Sequence, residues 1–77
     1  MWLAMPANIH VVPSGAEWAV KREGTTEPLS VRLTQQEAET AGRAQARADT
    51  VEFELHGTDG KIRQRDSYGN DPRDVPG

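Results

Sequence analysis

The stretch Val51-Glu52-Phe53-Glu54-Leu55-His56-Gly57-Thr58-Asp59-Gly60-Lys61-Ile62-Arg63-Gln64-Arg65-Asp66-Ser67-Tyr68-Gly69-Asn70-Asp71-Pro72 decides the fold. Val51, Phe53 and Leu55 alternate with Glu52, Glu54 and His56, the period of two that marks a strand with one apolar and one wet face. The Gly57-Thr58-Asp59-Gly60 cluster supplies turn chemistry, and the chain returns from Lys61 to Asp66. A slip of one residue exchanges the faces of a strand, so Ile62 is expected to share a face with Phe53 and Leu55. A four-residue loop sets Leu55 opposite Ile62, Glu54 opposite Arg63 and Glu52 opposite Arg65. A two-residue Asp59-Gly60 turn shifts the partners by two and keeps the faces. A three-residue loop puts Arg63 beside Leu55 and is costly. Either permitted register leaves an outer face that is nearly neutral, with Glu and Arg in cross-strand pairs worth roughly 0.2–1 kcal/mol each.

Working outward, residues 9–13 and 17–23 read as a first hairpin with Ser14-Gly15 in its turn, because Ile9, Val11, Val12, Trp18 and Val20 favour strand. Trp18 and Val20 share a face, and either Ile9 and Val11 or His10 and Val12 lie with them. Trp18 is read as a core anchor. Residues 24–30, polar and containing Pro28, read as a loop. Thr34-Gln35-Gln36-Glu37 is a capping box that opens a helix over residues 34–48, with Leu33 placed as a hydrophobic staple against Ala38. Its inward stripe is Ala38, Ala41, Gly42, Gln45 and Ala48, nearly all small. Gly42 costs about 1 kcal/mol relative to Ala in a helix interior, so close packing is its expected reason. Arg43 and Arg47 fall on a solvated face, where Glu39 can pair with Arg43 at i,i+4. The expected fold is α+β in the order β-β-α-β-β, a largely antiparallel four-stranded sheet with the helix on one face and the strand order open.

Composition bounds the function. With 77 residues, 35% of them hydrophobic, the chain is one domain with a small core. The compact part is expected over residues 9–72, with 1–8 a loose N-terminal extension and 73–77 a flexible tail. Met5 follows the apolar Met1-Trp2-Leu3-Ala4, which reads either as an upstream start or as a cover for apolar surface. The net charge of -3 gives no global attraction to nucleic acid or to an anionic membrane. Without cysteine there is no disulfide or thiolate chemistry, and a reducing cytoplasm is the simplest setting. No run reaches the length of a membrane span.

Several segments together resemble a family of small bacterial and phage proteins catalogued as a domain of unknown function. They are His-Val-Val-Pro at 10–13, Trp-Ala-Val-Lys at 18–21, Thr-Gln-Gln-Glu-Ala at 34–38, His-Gly-Thr-Asp-Gly-Lys-Ile at 56–62 and Asp-Ser-Tyr-Gly-Asn-Asp-Pro at 66–72. The resemblance runs from about His10 to Pro72. It implies one compact domain, in a chain that starts near Met5 in similar proteins, and supplies no activity.

The ending at 66–72 is the candidate recognition edge: Asp66, Ser67, Tyr68, Asn70 and Asp71, with Arg63 and Arg65 beside them. The competing structural reading packs Tyr68 on the sheet and pairs the aspartates with arginines or backbone amides. His10 and His56 are the only histidines. Their spacing matches no standard ligand motif, so no metal and no cofactor are expected. Ser67, His56 and Asp66 could be written as a hydrolytic triad, but so small a chain has little room for a pocket, and no enzyme is expected. The reading is a non-catalytic protein-interaction or assembly module. Nucleic-acid binding through Lys21, Arg22, Lys61, Arg63 and Arg65 is the alternative, weakened by the glutamates facing the arginines and by the lack of interleaved aromatics. Because one small-residue helix covers one face of a sheet, a homodimer is expected, with an exposed strand edge as a plausible seam. The cap is directly testable. Thr34→Ala should cost about 0.5–2 kcal/mol in thermal melts, and an unchanged melting curve would place the helix start elsewhere.

Overall fold

In the computed structural model, which describes residues 7–68, β-branched residues and a tight turn make the first hairpin as their propensities require. Strand β1 spans Ile9–Ser14 and β2 spans Glu17–Arg22, antiparallel, with Ser14 opposite Glu17. The two-residue turn is therefore Gly15-Ala16, one position later than Ser14-Gly15, and Gly15 takes the positive φ of +62° that it needs. Val11 stands opposite Val20 and Pro13 opposite Trp18. That settles the face: Ile9 and Val11 lie with Val20 and Trp18, and His10 and Val12 point the other way.

The segment read as loop contains a third strand, β3, Pro28–Arg32, paired antiparallel with β2 and shifted by an irregularity at Val20/Lys21. Proline at the start of a short run lowers its strand signal, and an edge strand is where proline is tolerated. The fold is α+β with five strands, not four. The helix α1, Gln35–Asp49, follows, then β4, Glu52–His56, and β5, Ile62–Ser67. The sheet order is β3-β2-β1-β4-β5, with β1 and β4 parallel at its centre and every other pair antiparallel.

In the second hairpin Glu54 faces Arg65, Leu55 faces Gln64 and Glu52 faces Ser67, the register of the shifted alternative. A bulge then intervenes, and His56 faces Ile62. The extra residue, Arg63, reverses the parity beyond it. Ile62 consequently leaves the face of Leu55, contrary to the alternation argument, and is 44% exposed.

One face of the sheet holds the core: Ile9, Val11, Val20, Val51, Phe53 and Leu55, closed by Ala38 and Ala46 of the helix, with Trp18, Ala41 and Tyr68 packed at its margin. The Thr34 hydroxyl accepts from the Glu37 amide at 3.1 Å, so the predicted cap forms. The staple does not, because Leu33 is 72% exposed. The buried stripe is Ala38, Gly42 and Ala46, an i,i+4 row, whereas Ala48 is exposed and Gln45 half-buried. Gly42 earns its place by contact. A Cβ there would stand 2.8 Å from a Phe53 ring carbon and 2.9 Å from a Val11 methyl. Alanine gains about 1 kcal/mol of helix propensity, but overpacking a core costs about 1–3 kcal/mol. Gly42→Ala should therefore lower stability by up to about 2 kcal/mol in urea titrations, and a stabilised variant would show that the helix can lift without loss.

Candidate functional site

The face of the sheet away from the helix is where chemistry-bearing side chains converge. The registers of three strand pairs align Lys21 on β2, His10 on β1, Glu54 on β4 and Arg65 on β5 in one row. His56 lies two residues beyond Glu54, hence on the same face. Glu23, just past the end of β2, is held by its amide to the Asn8 carbonyl at 2.8 Å. Asn8 also accepts the Glu52 amide on its side-chain oxygen at 3.1 Å, which ties the residue before β1 to the start of β4.

These side chains touch in a defined pattern. His10 Nδ1 is 3.1 Å from His56 Nε2 and 3.3 Å from Glu54 Oε1. His10 Nε2 is 3.1 Å from Glu23 Oε1, and His56 Nδ1 is 2.9 Å from the Gly60 carbonyl. The ring centroids are 5.3 Å apart with planes at 45°, so the rings meet by their nitrogen edges and do not stack. Glu54 is 8% exposed, and its second oxygen lies 3.4 Å from Arg65 Nε. His10, Glu54 and His56 each offer one donor atom of a kind that binds metal ions, all within 4.8 Å of one another. Sequence spacing could not show this group, because 46 residues separate the histidines and only the parallel β1–β4 pairing joins them.

A second cluster lies on the helix side. Arg43 donates to Glu39 at 2.9 Å, to Tyr68 Oη and Gln64 Oε1 at 3.0 Å each, and to Asp66. Its guanidinium sits 4.5 Å above the Phe53 ring, and Arg47 lies 5.1 Å from the Tyr68 ring. Arg43 is thus a clamp between helix and β5 and not a solvated side chain. Burial works against its charge, but its hydrogen bonds to Asp66, Tyr68 and Glu39 outweigh that and hold it protonated more firmly than usual.

The residues proposed from sequence are divided between these places. Asp66 and Tyr68 belong to the Arg43 clamp, Arg65 to the open face, and Ser67 stands opposite Glu52. Asn70 and Asp71 lie outside the described residues. Arg63 is the bulged residue, with its side chain against Gly57. Ser67 is five residues along β5 from the partner of His56, about 16 Å at strand rise, and Asp66 points to the opposite face, so the written triad is not assembled. The basic residues are also dispersed. Arg22 is paired with Asp49, Lys61 lies beyond the Gly57–Gly60 turn, and β2 and β5 are separated by two strands. None of the described helices is long and apolar enough to cross a membrane.

Residues 9–68 match the family model described as "Uncharacterized protein conserved in bacteria (DUF2188)". The chain belongs to the DUF2188 family. No curated protein and no solved structure matches it.

The Arg22–Asp49 pair ties the end of the helix to β2 and is open to titration. Hydrogen bonds from Arg22, and secondarily from Gln45, hold the Asp49 carboxyl below the usual carboxylate range. A carboxyl more acidic in the folded than in the unfolded chain stabilises above its unfolded pKa of about 3.9, and that contribution is lost as pH falls through the folded value. Asp49→Asn should therefore be less stable than the parent at neutral pH, and the difference should vanish in strong acid. A difference independent of pH would mean that packing, not charge, carries the pair.

Proposed function

We propose that this DUF2188 protein is a non-catalytic interaction module whose working surface is the sheet face opposite the helix, and that its first partner is a second copy of the chain. The observation that carries this reading is the one-sided cover of the sheet: the helix packs on the Val11/Phe53 face, while Val12, Ala19, Val31 and Ile62 flank the polar row on the other. Val31 and Ile62 are each 44% exposed. A small domain with apolar residues around a polar centre is commonly completed by association, most often two-fold.

The charges on this face favour a copy of itself over a polyanion. Lys21 and Arg65 alternate with Glu23, Glu52 and Glu54, and a mixed row can satisfy its own rotated image. The same mixture, with the spread of the remaining basic side chains, gives the nucleic-acid reading less support. A two-layer domain also lacks a third wall to enclose a substrate over this face, in keeping with a module that binds and does not catalyse. A reducing cytoplasm suits a chain without cysteine. The sheet edges are poorer seams than the face. Edge β3 begins with Pro28, and edge β5 carries Arg63 and Arg65, residues that discourage edge pairing.

Sedimentation equilibrium across a concentration series tests this reading. A reversible monomer–dimer equilibrium, weakened by Val31→Asp and by Ile62→Asp, is the expected result. A monomer persisting to high micromolar concentration would remove the self-association.

A further inference from the structure

The two histidines of this chain present an unresolved balance of donors and acceptors. The Gly60 carbonyl can only accept, so the His56 Nδ1 at 2.9 Å carries the proton and His56 Nε2 is left with a lone pair. The Glu23 carboxylate likewise accepts from His10 Nε2 at 3.1 Å, which in the neutral ring leaves a lone pair on His10 Nδ1. These two lone pairs face each other at 3.1 Å, and Glu54 Oε1 brings a third to within 3.3 Å of His10 Nδ1. With both rings neutral, three acceptors aimed at one point have no donor among them and repel one another unless a positive charge lies between.

We propose that His10 Nδ1, His56 Nε2 and Glu54 Oε1 form a binding site for one divalent transition-metal ion of the zinc class. Two of the three separations already fit. Ligand atoms about 2.1 Å from a tetrahedral zinc ion are about 3.4 Å from one another, close to the 3.1 Å and 3.3 Å that separate His10 Nδ1 from His56 Nε2 and from Glu54 Oε1. All three atoms lie within 4.8 Å, and a small movement of the Glu54 or His56 side chain closes the third separation. The donor set fits as well, since two neutral imidazoles and a carboxylate select zinc-like ions over magnesium or calcium, which take oxygen ligands. The surroundings are those of a built site. Each histidine gives its distal N–H to a carboxylate or a carbonyl, which fixes the ring tautomer and orientation. Arg65 lies against the second oxygen of Glu54. Three protein ligands leave a fourth position open to water or to a donor from another molecule. The site does not rest on self-association, and one ion per chain is expected in monomer and dimer alike.

Isothermal titration of Zn²⁺ into chelator-treated full-length protein, with circular dichroism to verify folding, is the test. The expected result is saturation at one ion per chain, abolished by His56→Gln and by Glu54→Gln, with no comparable heat from Mg²⁺ or Ca²⁺. Glu23→Gln, which touches only the distal nitrogen of His10, should weaken binding roughly 10–100-fold without removing the site. Long-range ¹H–¹⁵N correlation spectra of the unsubstituted protein give a readout independent of variant folding. Zn²⁺ should shift His10 Nδ1 and His56 Nε2 and leave their distal nitrogens protonated. Absence of saturable heat would overturn the proposal. So would binding that survives both ligand substitutions, or ring spectra showing a proton held between the two imidazoles that Zn²⁺ does not displace.

Discussion

The parallel pairing of β1 with β4 is the constraint on which the rest of this molecule depends. It sets Ile9 beside Phe53 and Val11 beside Leu55, all fully or nearly fully buried, and so fuses the inner faces of the two hairpins into a single core. Neither hairpin would be stable alone, since an isolated pair of strands has too little apolar surface to hold itself in water. The same register sets His10 beside Glu54 on the reverse side. One ladder thus produces the core on one face and the polar cluster on the other.

The helix answers to that core. Only a row of Ala38, Gly42 and Ala46 lets its backbone approach the Phe53 ring and the Val11 methyls so closely. A helix of small residues buries little apolar area of its own, and long polar side chains supplement it at the margins. Arg43 reaches from the helix to Gln64, Asp66 and Tyr68, and Arg22 reaches from β2 to Asp49 at the helix end. Both guanidiniums are partly shielded from water, where charge-assisted hydrogen bonds are stronger than at an open surface. Part of the ending noted in the sequence for recognition, Asp66 and Tyr68, is drawn into this clamp.

Family membership and surface chemistry are complementary here. DUF2188 carries no assigned activity, and function has to be argued from the sites themselves. The open face has two features that the core does not need: apolar side chains left uncovered by the helix, and two imidazole nitrogens that meet at 3.1 Å beside Glu54. The first points toward association and the second toward a cation. The two readings share a surface but make separate demands on it.

From the sequence alone came the elements whose signals are local: both hairpins, the capped helix opened by Thr34, the close-packing role of Gly42 and the Glu39–Arg43 pair. Their physics is contained within a few residues of chain, in alternation, turn chemistry and capping. Strand β3 escaped because Pro28 weakens a short run, and Ile62 was set on the wrong face because a bulge at Arg63 leaves no mark in a hydrophobic pattern. The helix stripe was read two positions out at its end, at Ala48 in place of Ala46, since small residues on both sides blur the period. The strand order and the meeting of His10, Glu54 and His56 belong to tertiary structure. Residues 46 apart become neighbours only when two hairpins choose which edges to join. That choice is made by burial of the whole core, a sum over many distant side chains that no local spacing encodes.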